Sequence, residues 1–126
     1  MRALCALTII QPGQESLIKA LDELYPAYWV EGKPTHEKEC LTEVLSKVFG
    51  ADTAKNVMEM AGKEGKELLI KNTDRALADD AFGLPWFVAT NAKGETETFW
   101  GVDHLAQVTE HLGLEKPRVG GWKALL

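Results

Sequence analysis

The sequence predicts an α/β fold of the α+β type, with a helical domain over residues 1–80 followed by a strand–strand–helix unit over residues 81–114. Apolar residues recur at helical spacing as far as Asp80, after which two runs of β-forming residues flank a turn that contains glycine. A chain of 126 residues is long enough to bury a hydrophobic core. Residues 115–126, which contain Pro117 and Trp122, are expected to form an extended arm.

Glycine and proline signals separate the five helices that the first domain is predicted to contain. Pro26 interrupts the second apolar pattern, so a kink or break is expected near Tyr25. The charged residues fall on the outer helix faces, which is typical of a solvated surface. The predicted helices run from Arg2 to Ile10, from Gln14 past Tyr25, from Thr35 or His36 to Gly50, from Asp52 to the Gly62–Gly65 break, and from Glu64 to about Asp80.

The second domain is predicted to hold a hairpin and one helix. The segment Trp86–Thr90 is rich in strand-forming residues, and Asn91 to Gly94 supplies the turn before a second strand, Thr96–Trp100. Gly101 breaks this strand, and Asp103 is expected to cap a helix that Gly113 closes.

Composition excludes several classes of function. The formal net charge of −5 argues against general binding of nucleic acid and against a polybasic membrane surface. No apolar run reaches the roughly 18 residues that a membrane-spanning helix needs. The apolar start, MRALCALTII, lacks a cleavage site, so we expect a core helix there and not a signal peptide.

The two cysteines, Cys5 and Cys40, form no C-x-x-C motif. We expect two reduced, largely buried thiols and a cytoplasmic location, with a Cys5–Cys40 disulfide as the alternative. His104 and His111 are two helical turns apart and His36 is remote in sequence, so no metal site is expected.

Two short segments are candidates for ligand binding. Pro85 lacks a backbone donor and restricts Leu84 to an extended conformation, which can pair its backbone with an extended ligand. At Gly101-Val102-Asp103-His104, the Asp103 side chain could hold an ammonium group while the N–H groups behind it hold a carboxylate, as for the end of an α-amino acid. The alternatives are an ordinary loop-to-strand corner and a simple helix cap.

The stretch AFGLPWFVATNAKGETETFWGVDHLAQVTEHLGLE resembles the C-terminal half of the thioredoxin fold in kappa-class glutathione transferases. It also resembles the related 2-hydroxychromene-2-carboxylate isomerases, within the DsbA-like branch of the thioredoxin superfamily. The motif A-F-G-x-P-x-F-V, a glycine turn and F-W-G-x-D-x-L carry the resemblance. The preceding residues resemble the helical insertion domain of that family.

The resemblance implies that glutathione is the substrate, and it leaves an organellar location open beside the cytoplasmic one. Pro85 would be the family's cis proline, and Leu84 would offer its backbone to the cysteinyl part of glutathione. Asp103 would bind the γ-glutamyl ammonium, and the N–H groups of Val102 and Asp103 the γ-glutamyl carboxylate. Relatives commonly have serine where this chain has Val102. The family's catalytic serine belongs to an N-terminal strand–helix–strand unit that this sequence does not contain, so no catalytic residue is assigned here.

Three functions remain open at this stage. The chain is expected to be part of a kappa-class-like glutathione transferase, or a non-catalytic module that binds glutathione or a protein. The third is a relative of DsbA-like thiol-disulfide oxidoreductases or of the isomerases. In each case the strand Trp86–Thr90 is expected to expose an unpaired edge, so the missing N-terminal half or a second copy of the chain is the expected partner.

Overall fold

The computed structural model of the chain describes residues 1–115. It divides into two compact units, Met1–Asn72 and a second unit that begins at Thr73. The mixed architecture is the predicted one, with helices followed by a two-stranded antiparallel sheet and a final helix. The predicted C-terminal arm lies outside the described residues except for Glu115. Within residues 1–115, no helix has both the length and the apolar character that crossing a membrane requires.

The first five helices follow the glycine and proline signals closely. Their observed bounds are α1 Arg2–Ile10, α2 Gln14–Tyr25, α3 Lys38–Phe49, α4 Ala51–Met60 and α5 Glu64–Ala78. The helix is not broken near Tyr25: α2 ends at Tyr25, but a π-helical turn, Pro26–Val30, continues directly from it. Pro26 cannot donate to the preceding turn, and the wider ladder resumes with the N–H of Glu31 donating to its carbonyl at 3.0 Å.

The predicted start of α3 at Thr35 or His36 is wrong by two to three residues. The N–H of Glu37 donates to the carbonyl of Pro34 at 2.9 Å, which closes a turn before the helix. Glu37 itself is extended, with φ −79° and ψ 141°, so the helix begins only at Lys38. The fifth helix, α5, ends at Ala78 and is slightly shorter than the predicted Glu64 to about Asp80, since Asp80 adopts a positive φ of 59°.

The core of the first unit combines a few large side chains with many alanines. Leu7, Leu45 and Val57 are almost fully buried, and each contributes about 1.5–3 kcal/mol by leaving water. Small residues allow the helices to approach closely. At Gly65 of α5, an added Cβ would lie 2.6 Å from the carbonyl oxygen of Arg2 and 3.1 Å from the Cβ of Ala6.

The hairpin is observed at the predicted residues, β1 Trp86–Thr90 and β2 Thr96–Trp100. The strands are antiparallel, with Trp86 opposite Trp100 and Thr90 opposite Thr96. Helix α6, Leu105–His111, contacts both strands, and Ala89 and Val108 are buried at 7% exposure each. The sheet therefore has one covered face, while Val88 and Trp100 remain about half exposed on the other.

Candidate functional site

The hairpin register brings the two predicted binding segments together. The N–H of Gly101 donates to the carbonyl oxygen of Pro85 at 3.0 Å, which extends the strand ladder one step beyond the Trp86–Trp100 pair. The Leu84–Pro85 corner therefore lies beside the turn that begins at Val102. Segments that are about 18 residues apart in sequence become one surface at the end of the hairpin, by the pairing rule of antiparallel strands.

Leu84 has the exposure and the free backbone groups that pairing with a ligand requires. The Leu84–Pro85 peptide bond is cis, as the resemblance implied for this proline. Leu84 is 79% exposed. Neither its N–H nor its carbonyl group has a backbone partner among the residues that the structure describes. An extended ligand can therefore reach both groups without displacing an existing hydrogen bond.

The turn after β2 presents groups of opposite polarity. Residues Val102–His104 form a 3-10 turn, which Gly101 starts with a positive φ of 88°. Because the first N–H groups of a helical turn have no internal acceptor, those of Val102 and Asp103 have no backbone partner within residues 1–115 and are open to a ligand. The Asp103 side chain is 72% exposed, and its Oδ2 lies 3.4 Å from Nδ1 of His104. One carboxylate and two free donors thus lie next to each other.

The predicted role of Asp103 as a helix cap is wrong. Its side chain makes no capping hydrogen bond, and α6 begins two residues later, at Leu105. Gly101, with its positive φ, takes the capping position, so the 3-10 turn begins at Val102 and Asp103 lies within that turn. Its carboxylate is consequently not engaged by the backbone donors that a capping residue would satisfy.

An aromatic cluster supports the corner and was not found by sequence reasoning. The ring of Phe82 lies 5.2 Å from that of Trp86 and 5.1 Å from that of Trp100, measured between centroids. The indole of Trp100 occupies the space that a Cβ at Gly83 would need. The buried Nε1 of Trp86 has no hydrogen-bond partner among residues 1–115. The sequence signal was the pair Phe82-Gly83 shortly before Pro85. The contact of both residues with Trp100 could not be predicted from it, because that contact depends on the cross-strand register.

His111 is a structural residue of the second unit. Its side chain is only 8% exposed, and its Nε2 lies 3.1 Å from the carbonyl oxygens of both Ala89 and Glu95. The ring therefore links α6 to the hairpin.

Over residues 1–115, no group of three or more His, Cys, Asp or Glu side chains has the arrangement of a metal site. The thiols of Cys5 and Cys40 are free; Cys5 is buried, whereas Cys40 is half-buried.

Comparison with known proteins identifies similar sequences. The profile of the DsbA-like thioredoxin domain family matches residues 2–113. Glutathione S-transferase kappa 2 of Caenorhabditis elegans is 34% identical over 90 residues, which are 71% of this chain and 40% of that protein. Glutathione S-transferase kappa 1 of the same organism is 24% identical over 124 residues, or 95% of this chain and 54% of that protein. The chain thus spans about half the length of these curated relatives.

Proposed function

Because the chain belongs to the family of DsbA-like thioredoxin domains, we propose that the end of its hairpin binds glutathione as part of a kappa-class-like glutathione transferase. Two similar proteins carry the name of that class. The observation that supports the proposal most directly is the hydrogen bond between Gly101 and Pro85, since it brings the two candidate segments side by side.

Leu84 supplies the backbone contact in this proposal. Its free N–H and carbonyl groups pair with the peptide groups of the cysteinyl residue, as a short strand would. This contact positions the tripeptide without contributing charge. It also places the cysteinyl residue beside the Pro85 corner.

Asp103 and the neighbouring donors recognise the γ-glutamyl end. The Asp103 carboxylate binds the α-ammonium, while the N–H groups of Val102 and Asp103 bind the α-carboxylate. Opposite charges on one ligand end match opposite polarity on the turn. Val102 has no hydroxyl, so this chain makes one side-chain hydrogen bond fewer than relatives that have serine there.

Transfer chemistry needs one further group. The nucleophile is the thiolate of glutathione, and it forms only when a donor at the sulfur lowers the thiol pKa. The resemblance assigns this role to a serine outside this sequence, so we propose that conjugation or reduction by the thiolate requires that unit. The 126-residue chain by itself is then a glutathione-binding module, which is the second candidate function.

The edge of β1 is the surface that we propose for pairing with another polypeptide strand. Pro85 and Gly101 form a hydrogen-bonded pair, so the alternate residues Trp86, Val88 and Thr90 direct their backbone groups to the other edge. Within the described residues the sheet has only two strands, and β1 contains no charged residue to protect its edge. Either a second copy of the chain or a separate N-terminal half could pair with this edge.

The cytoplasmic location stays a prediction.

The test is calorimetric titration of glutathione into the 126-residue chain and into its Asp103→Asn variant. We expect the variant to bind up to about fivefold more weakly, because the amide oxygen still accepts a hydrogen bond from the ammonium but the attraction between opposite charges is lost. The analogue glutaryl-cysteinyl-glycine, which lacks the ammonium group, should bind both forms equally. Asp74→Asn on the exposed surface of α5 is the matched control.

A transfer assay with a chloro-nitrobenzene acceptor separates the two candidate functions. Binding without turnover supports the glutathione-binding module. Turnover at an enzymatic rate by this chain alone would show that no donor from outside the chain is needed to activate the glutathione thiol. If millimolar glutathione produces no heat of binding, or if Asp103→Asn binds both ligands as the parent chain does, the proposed site is wrong.

A further inference from the structure

The helical unit contains an open apolar cavity that the proposed glutathione site does not use. Its volume is about 370 Å³, within the usual range for small-molecule pockets. Leu24, Leu41 and the aromatic side chains Tyr25, Tyr28 and Trp29 are among the residues that line it. No acidic or basic side chain belongs to this lining. The cavity therefore favours an uncharged, apolar part of a ligand.

The π-helical turn shapes the mouth of this cavity. The turn places the rings of Tyr28 and Trp29 edge to face, with centroids 4.8 Å apart. Trp29 is 74% exposed and Tyr25 is 58% exposed, so large apolar surfaces remain in water at the mouth. Clustered exposure of this kind marks interaction surfaces, and π-helical turns are frequent at functional sites.

A second cavity, of about 540 Å³, adjoins the first, and Met1, Ala3, Thr35 and Leu41 line both. Its lining adds Arg2, His36 and Lys38 but no acidic side chain.

Two of the side chains that line this second cavity, those of Arg2 and Lys38, are cationic. In the described part of the chain, no carboxylate lies within ion-pair distance of the side chains of Arg2 or Lys38. The protein as a whole carries a formal net charge of −5, because its acidic side chains outnumber its basic ones. The part of the second cavity formed by Arg2 and Lys38, here called the cationic rim, has the opposite charge. An anionic group of a ligand would complement this rim.

We propose that the two cavities form one binding site for an apolar monocarboxylate of the fatty-acid class. The alkyl chain occupies the aromatic cavity, and the carboxylate lies at the rim beside Arg2 and Lys38. A small anion without an apolar part would leave the first cavity unfilled, and a neutral lipid would leave the cationic rim without a partner. The amphipathic anion satisfies both parts of the site.

The experiment titrates the 126-residue chain with octanoate and with 1-octanol, using calorimetry and backbone amide NMR spectra. We expect octanoate to bind more tightly, and the amide shifts to concentrate at the start of α1 and in residues 24–41. The double variant Arg2→Gln/Lys38→Gln should bind octanoate roughly fivefold more weakly and 1-octanol unchanged, as the loss of two exposed ion pairs predicts.

The charge-matched control is Lys55→Gln/Lys66→Gln, which changes two exposed lysines outside both cavities. The proposal is overturned if octanoate does not bind, if both ligands bind equally well, or if the control pair weakens octanoate binding as much. It is also overturned if the largest amide shifts fall on β1 and β2. Leu24→Glu should abolish binding of both ligands, with its far-ultraviolet circular dichroism spectrum used to verify that it folds.

Discussion

Replacing Gly65 by alanine tests the close packing of α5 against α1. The added Cβ would lie 2.6 Å from the carbonyl oxygen of Arg2, about 0.8 Å short of ordinary contact at 3.4 Å. It would also lie 3.1 Å from the Cβ of Ala6, and both neighbours belong to a helix that cannot yield locally. Overpacking of this kind costs about 1–3 kcal/mol, and the better helix propensity of alanine returns up to about 1 kcal/mol.

The expected net loss for Gly65→Ala is about 1–2 kcal/mol, which corresponds to a decrease in Tm of roughly 3–10 °C. Gly62→Ala is the matched control, three residues earlier. Its added Cβ would have its nearest neighbour at 4.0 Å, so the Tm should stay equal or rise slightly. Thermal unfolding followed by circular dichroism gives both values. An equal or higher Tm for Gly65→Ala than for Gly62→Ala would show that the helices are not in close contact there.

Three further predictions concern the second unit. Gly83→Ala should displace the indole of Trp100, which near-ultraviolet circular dichroism detects as a loss of aromatic signal, and should also weaken glutathione binding. His111→Ala should destabilise the hairpin by about 1–3 kcal/mol, because two carbonyl contacts are lost, and faster amide hydrogen exchange in β1 and β2 measures this effect. Val88→Lys should abolish association through the edge of β1, which light scattering detects as a decrease in molar mass to that of the monomer. A parent chain that is itself monomeric would contradict that association.

Local patterns accounted for nearly all the elements of this fold. Strands β1 and β2 were predicted at their observed bounds, because β-forming runs and the turn Asn91 to Gly94 act over a few residues. The start of α3 was misplaced because sequence signals at helix ends are weak, and a turn at Pro34 competed with the helix. Asp103 was misassigned for a related reason, since a typical capping residue is also compatible with a 3-10 turn.

The sequence by itself therefore determined the order and type of the elements, and it identified Leu84, Pro85, Val102 and Asp103 as candidate site residues. Only the tertiary structure decided that these residues adjoin, because strand register pairs residues that are distant in the chain. The same reason applies to the helical unit. Arg2 and Lys38 are far apart in sequence, and only helix packing places both at the rim of one cavity.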